Sequence, residues 1–315
     1  MTTAARARPP DLPAGHRVAD IPPLGPVTVQ RSLGHGSFGA VYEVADADGR
    51  TLAMKVEGPT RRFSQLEYEG RVYDALRGLR CVPRVHGTLQ DTDGVRYLIM
   101  DCLGRDLQAV MDRAPSRKLP LEHALVVAVR VLDRLRDVHA AGFVHRDVKP
   151  QNFLLHDRPE GTGSDVWIVD FGLAKRYRDA AGTHVPFRDD KPGLTGTPRF
   201  ASTFAQAGCE TARRDDLESL LYMLAYLVHG SLPWQRITGL KLNPKTPAGK
   251  REKNRAILAR KRTTSARTLF GPLGSPVVRA ARYVRALDFA EEPDYDRLRN
   301  WLAAAYVAAK KSPAV

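Results

Sequence analysis

Residues His145 to Asn152 read HRDVKPQN, and eighteen residues beyond Asn152 come Asp170, Phe171 and Gly172. An acid, a cation and an amide therefore share one short loop, and a second acid opens a turn after the strand-like run Val166 to Val169. Either motif alone reads as a polar loop between apolar segments. Few chemistries need both. One that does is phosphoryl transfer from a metal nucleotide: a carboxylate orients an incoming hydroxyl, an amide and a second carboxylate hold magnesium, and a lysine neutralises developing charge. On this reading Asp147 is the candidate base or hydroxyl orienter and Lys149 the cation near the transferred group. Asn152 and Asp170 are the candidate metal ligands.

A chain of 315 residues with 43% hydrophobic and 27% charged residues can bury a substantial core and has a globular balance. No apolar run approaches the ~20 residues a membrane helix needs, and the start, MTTAARARPPDLPAG, lacks the apolar segment of a secretory signal. The expectation is a soluble, intracellular protein, cytoplasmic or nuclear, without membrane attachment and most simply a monomer. Cys81, Cys102 and Cys209 are odd in number and lack metal-ligand spacing, so buried thiols are expected rather than disulfides or a zinc site. The 49 basic residues against 35 acidic ones give +14, which suits acidic partners: nucleic acid, phosphoprotein or a nucleotide. Much of the excess is local, because Arg236 to Arg262 holds ten basic residues against one acid.

Residues 1–26 carry six prolines and little periodicity and read as a flexible or extended lead-in. From Val27 short β-rich runs follow, VTVQRSLG, AVYEVAD and TLAMKVE, expected as three antiparallel strands. Between the first two lies a G-x-G-x-x-G-x-V loop with Gly34, Gly36, Gly39 and Val41. Glycines there let backbone amides close over phosphates. A dinucleotide site would need a helix next, and the sequence supplies another strand instead. That strand carries Ala53 and Lys55, whose ammonium should point inward across the sheet. The segment Gln65 to Leu76 has helical periodicity. Glu69 is the candidate ion-pair partner for Lys55, with Glu67 left as a competitor by spacing alone.

Two more strand-like segments, Val85 to Leu89 and Val95 to Met100, end in a small connector at 101–104. Its backbone at Asp101 and Leu103 could bind an adenine edge, with Met100 either lining that pocket or serving as an ordinary core methionine. A long helix is expected from Leu121 to Ala141, with Gly142 as its C-cap. A strongly apolar helix is expected from Leu217 to Val228, headed by Asp216, which would brace the loop at 145–152. The basic stretch after Trp234 reads as an extended loop. Three roles are open to it: substrate recognition, a solvated surface, or nuclear targeting with nonspecific nucleic-acid contact.

The phrases VHRDVKPQNFLL, IVDFGLAKRYRD, LTGTPRFAS, RRDDLESL, GSLPWQ and EPDYDRL run from about residue 30 to 302. In them the chain resembles the casein kinase I family of protein Ser/Thr kinases. Phe200-Ala201-Ser202-Thr203 stands where most kinases have an A-P-E-like triplet, as in that family. The resemblance implies an α+β, two-lobed kinase fold: a small antiparallel-sheet N-lobe over 27–100, a hinge at 101–104, a larger, mainly helical C-lobe over 105–309 and a short tail over 310–315. It implies ATP and Mg2+ as cofactors and protein substrates that are acidic or already phosphorylated N-terminal to the target Ser or Thr.

The same resemblance carries roles onto further residues. Arg199 and Lys253 match residues that hold a substrate anion, and Arg146, Lys175 and Lys191 match a second anion cluster. Thr197 matches the threonine bracing the catalytic aspartate and lysine. Leu221 stands where the family usually has glycine, and its extra volume is expected to loosen packing under the catalytic loop. The alternatives are a kinase of the vaccinia-related group, whose members usually differ at the H-R-D and D-F-G phrases, and a phospho-binding pseudokinase scaffold. A basic nucleic-acid module lacks any base-reading motif.

Overall fold

The structure, a computed structural model, describes residues 9–36, 39–59, 63–157, 164–190 and 193–311. In chain order the strands and helices are β1 (Arg17–Ile21), β2 (Gly25–Gly36), β3 (Gly39–Ala45), β4 (Thr51–Glu57), α1 (Gln65–Ala75), β5 (Val85–Gln90), β6 (Arg96–Asp101), α2 (Leu107–Arg113), α3 (Leu121–Ala140), β7 (Phe143–Val144), β8 (Phe153–Asp157), β9 (Ser164–Ile168), β10 (Lys175–Arg176), α4 (Thr203–Ala207), α5 (Arg213–His229), α6 (Pro247–Thr263), α7 (Ala266–Phe270), α8 (Ser275–Ala286) and α9 (Tyr295–Lys311). They divide into two compact units. One holds the residues through Gly104 together with Val169–Gly172, and the other holds Arg105–Ile168 and the residues from Leu173 onward.

The first unit is a six-stranded antiparallel sheet in the order β1-β2-β3-β4-β6-β5, with α1 as its helix. Alternation sorts each strand into two faces. Val27, Val29, Tyr42, Val44, Leu52, Met54, Val56, Tyr97 and Ile99 turn to one side and pack as a core. The opposite side therefore carries the intervening residues. Register pairs Val41 with Lys55 and Ala53 with Met100, so these four candidate nucleotide residues share one face. Gly39 is dictated by packing, because a Cβ there would stand 2.1 Å from the Val56 carbonyl oxygen.

The expected lead-in over 1–26 is corrected from Pro10 onward. β1 pairs with β2, and Leu12, Val18 and Ile21 are buried in the same core. The Tyr42 hydroxyl accepts from Leu12 N at 3.2 Å and donates to Pro10 O at 3.3 Å, fastening that stretch to the sheet. Prolines at the flanks of a short edge strand cost no ladder hydrogen bond, which is why proline content misled the reading.

The second unit is mainly helical. α5 is buried on all sides over most of its length, as expected of a helix that forms a core axis, and packs with α3. It ends at Gly230 in the left-handed conformation. α3 buries Ala124, Leu125, Ala128, Val131, Leu132, Leu135 and Val138 along one stripe and ends one residue before its expected limit, at Ala140. More than half of the basic stretch is helical, contrary to the reading of 236–262 as a loop: Thr246 caps α6, and its side chain accepts from Gly249 N at 3.1 Å. Among the described residues no helix is long and apolar enough to cross a membrane.

Truncating Ile21, which is fully buried, tests the place of β1 in the core. Ile21→Ala is expected to cost about 2–4 kcal/mol and to lower the melting temperature by several degrees. An unchanged melting temperature would show that β1 does not belong to the core.

Candidate active site

In the first unit, β4 and α1 are locked together by one buried acid. Glu57, at the end of β4, accepts from Gln65 N at 3.0 Å through Oε1 and from the Ser64 hydroxyl at 2.5 Å through Oε2, while Ser64 caps the helix by accepting from Glu67 N at 3.0 Å. The start of α1 is thereby tied two residues beyond Lys55. One turn into the helix, Glu69 meets the Lys55 ammonium at 2.6 Å. Glu67 points to solvent and pairs with Arg71, so geometry decides between the two acids for Glu69.

Lys55 also lies 3.3 Å from Asp170 Oδ1. Burial works against its charge, but Asp170 and Glu69 together outweigh burial and raise its pKa, so it stays an ammonium. Asp170 has φ of 68°. Its backbone N–H donates to the Tyr73 hydroxyl at 3.2 Å, and the Tyr73 ring meets Phe171 edge-on at 5.2 Å. A left-handed non-glycine residue is uncommon, and here helix α1 supplies partners that hold it.

Asp101 uses its backbone N–H on Arg84 O at 3.0 Å, so an adenine contact at that position would have to use its carbonyl. Its carboxylate is engaged by Arg84 N and His86. Met100 is buried. Gly34 and Gly36 form the β2 end of the hairpin, while Ser37 and Phe38 at its tip lie outside the described residues.

In the second unit, Asp216 near the start of α5 accepts the backbone N–H of His145 at 2.7 Å through Oδ2 and that of Arg146 at 2.9 Å through Oδ1. His139 Nε2 donates to the same Oδ2 at 2.9 Å. This holds Arg146 at φ of 67° and turns the next residue, Asp147, into its place. Asp147 is gripped on both oxygens: Oδ2 by the Lys149 ammonium at 2.5 Å, and Oδ1 by Thr197 Oγ1 at 2.8 Å and Thr197 N at 2.9 Å. Asn152 closes the loop by donating from Nδ2 to Asp147 O at 2.9 Å. Gly196 admits the approach of Thr197 to Asp147, because a Cβ there would stand 2.4 Å from Arg146 O. Leu221 is buried within α5.

A model of the protein kinase domain family matches residues 27–266. The chain belongs to that family. The two-lobed fold expected from the motifs is the one observed, with a curled antiparallel sheet in one unit and a mainly helical second unit.

Kinase domains generally use ATP with Mg2+. Among the described residues no group of three or more His, Cys, Asp or Glu could hold a metal by itself. Magnesium does not require one, since it takes one or two carboxylates together with nucleotide phosphates and water. The Asp170 carboxylate offers one such ligand. In the second unit Asn152 commits Nδ2 to Asp147 O and keeps its Oδ1 as an acceptor.

The candidate anion residues fare unequally. The Arg199 guanidinium is half-buried over the Tyr226 ring, 5.1 Å from its centroid, and has no ion pair among the described residues. Lys253 is exposed on α6. Lys175 pairs instead with Glu210 at 2.8 Å, and Arg146 Nε donates to Leu173 O at 2.6 Å, so the structure does not gather them as a free anion cluster. Lys191, assigned to the same cluster, lies outside the described residues.

One residue of the basic stretch has a role that the sequence reading missed. Lys261 is fully buried, and its ammonium donates to Pro198 O at 2.8 Å, Ala201 O at 2.6 Å and Gln206 Oε1 at 3.1 Å. The rings of Tyr222 and Trp234 lie 5.3 Å away. Burial pulls its pKa down to about 7, against the pull of Glu218. Lys261 thus fastens the helix carrying Lys253 to the stretch carrying Arg199. Its position four residues after the buried Ile257 was the available signal, since such residues share a helical face.

Asp216 gives the sharpest test of how the loop is held. Burial raises the pKa of its carboxylate, but the bonds from His139 and His145 outweigh this and leave the pKa lowered. A lowered carboxylate contributes stability above the unfolded-state value and loses it as acid protonates the folded state. Asp216→Asn should therefore cost about 2–4 kcal/mol at pH 7, with the gap from the wild type closing below about pH 4. Equal denaturant midpoints at pH 7 would contradict this.

Proposed function

We propose that the chain is an ATP-dependent protein serine/threonine kinase with the substrate preference of the casein kinase I family, acting on acidic or phospho-primed proteins. The observation that carries this reading is the double grip on Asp147. Lys149 takes one carboxylate oxygen and Thr197 the other, so the carboxylate is fixed in orientation before any substrate arrives. Such preorganisation is what transfer to a hydroxyl asks of a protein, because there is little covalent chemistry for the enzyme itself to perform.

Bound ATP supplies the phosphoryl group, and its magnesium neutralises charge on the phosphates. The chain's own groups do the rest. Lys55, kept charged by Glu69 and Asp170, holds phosphate oxygens. Asp147 accepts a hydrogen bond from the substrate hydroxyl and orients it, while Lys149 neutralises charge that builds on the transferred group. Asn152 and Asp170 would hold the metal, and the amides of Gly34 and Gly39 and the carbonyl of Asp101 would contact the nucleotide. Arg199, free of internal ion pairs among the described residues, and Lys253 supply charge-assisted bonds to a phosphate or carboxylate on the substrate.

Purified protein with Mg-ATP should phosphorylate casein, and Asp170→Asn should reduce the rate on the order of a hundredfold or more. Nucleotide binding without turnover in the wild type would favour a phospho-binding scaffold. On paired peptides with and without an upstream phosphoserine, Arg199→Ala should lower the rate on the primed peptide by roughly tenfold while sparing the unprimed one. Equal loss on both would refute the anion assignment.

A further inference from the structure

Away from the residues above, the second unit carries an open pocket of about 590 Å³ lined by Ser265, Ala266, Arg267, Arg282, Arg285 and Ala286. Three of the six lining residues are arginines, and none is acidic. Arg282 and Arg285 follow Arg279 at three-residue intervals on α8, a spacing that sets like charges beside one another and disfavours the helix.

Arg285 has internal compensation. Its Nε donates to Glu218 Oε1 at 3.3 Å, its Nη2 to the Tyr222 hydroxyl at 3.2 Å and its Nη1 to Thr264 O at 3.4 Å. Arg267 and Arg282 are exposed, and neither has an acidic partner among the described residues. The pocket therefore presents one guanidinium fixed in place and two that are long, exposed and uncompensated.

We propose that this pocket is a binding site for a small ligand carrying two neighbouring phosphate groups, held by Arg267 and Arg282 above the fixed Arg285. Guanidinium forks match phosphate oxygens in pairs, and a bound anionic group supplies the counter-charge that Arg267 and Arg282 lack. The volume lies in the range of small-molecule sites. With no aromatic residue in its lining, the pocket lacks the stacking surface that a nucleic-acid strand would use. Arg199 and Lys253 are not among its residues, so the site is separate from the substrate anion site and does not depend on the kinase reading.

The test is calorimetric titration of the full chain with inorganic pyrophosphate at fixed ionic strength. Saturable binding is expected for the wild type, with a loss of about tenfold or more in Arg267→Glu/Arg282→Glu and a smaller loss in Arg267→Gln/Arg282→Gln. Arg279→Glu reverses a charge one helical turn from Arg282 but outside the pocket lining, so its loss should be distinctly smaller than that of the double reversal. Melting temperatures of all variants should stay near the wild type, because both substituted side chains are exposed. Three results would each overturn the proposal: no binding by the wild type, unchanged affinity in the double variants, or an equal loss in Arg279→Glu.

Discussion

Two backbone N–H groups in a buried turn have to be satisfied, and the Asp216 carboxylate takes both, at His145 and Arg146. An unmade bond to a buried amide costs more than a made one contributes, so this carboxylate decides whether the turn can exist at all. The left-handed Arg146 follows from it, and the direction of the Asp147 side chain follows from Arg146. Lys149, Thr197 and Asn152 then converge on a residue whose place is already set. Asp216 touches no reacting group. It acts by fixing the backbone on which Asp147 and Lys149 stand, and α5, buried along most of its length, gives it a rigid seat.

The first unit solves an analogous problem with Glu57. Strand β4 delivers Lys55, and two residues later the same strand supplies the acid that holds the start of α1. The Lys55–Glu69 pair is therefore fixed by geometry at both ends. Asp170, left-handed and supported by Tyr73, adds a second carboxylate to the same ammonium. In both units a buried acid outside the candidate site residues defines where those residues stand.

Much of this was legible in the sequence. The spacing of Asp147, Lys149, Asn152 and Asp170 identified the loop, the apolar neighbours of Lys55 pointed its ammonium across the sheet, and the long helix expected over Leu121 to Ala141 is found one residue shorter, beside the expected Leu217 helix. Asp216 was readable as a brace because it heads a buried helix. The failures have a common physical cause: burial of polar side chains is decided by partners distant in sequence. Lys261 reads as one of ten solvated cations until three acceptors from 198–206 surround it. Lys175 pairs with Glu210, 35 residues away, a partner that spacing does not announce. The choice between Glu67 and Glu69 turns on helix phase, which spacing alone does not settle. Proline count hid β1, whose burial depends on a sheet formed by later strands.

Hydrogen exchange at the His145 and Arg146 amides tests the central claim most directly, because both are ascribed to a side chain 70 or more residues away. If Asp216 holds the turn, both amides exchange only by global unfolding, at the slow rate of the α5 core, and both lose protection together in Asp216→Ala while amides in β3 and β4 keep theirs. Rapid exchange of either amide in the wild type, or protection that survives Asp216→Ala, would contradict the account.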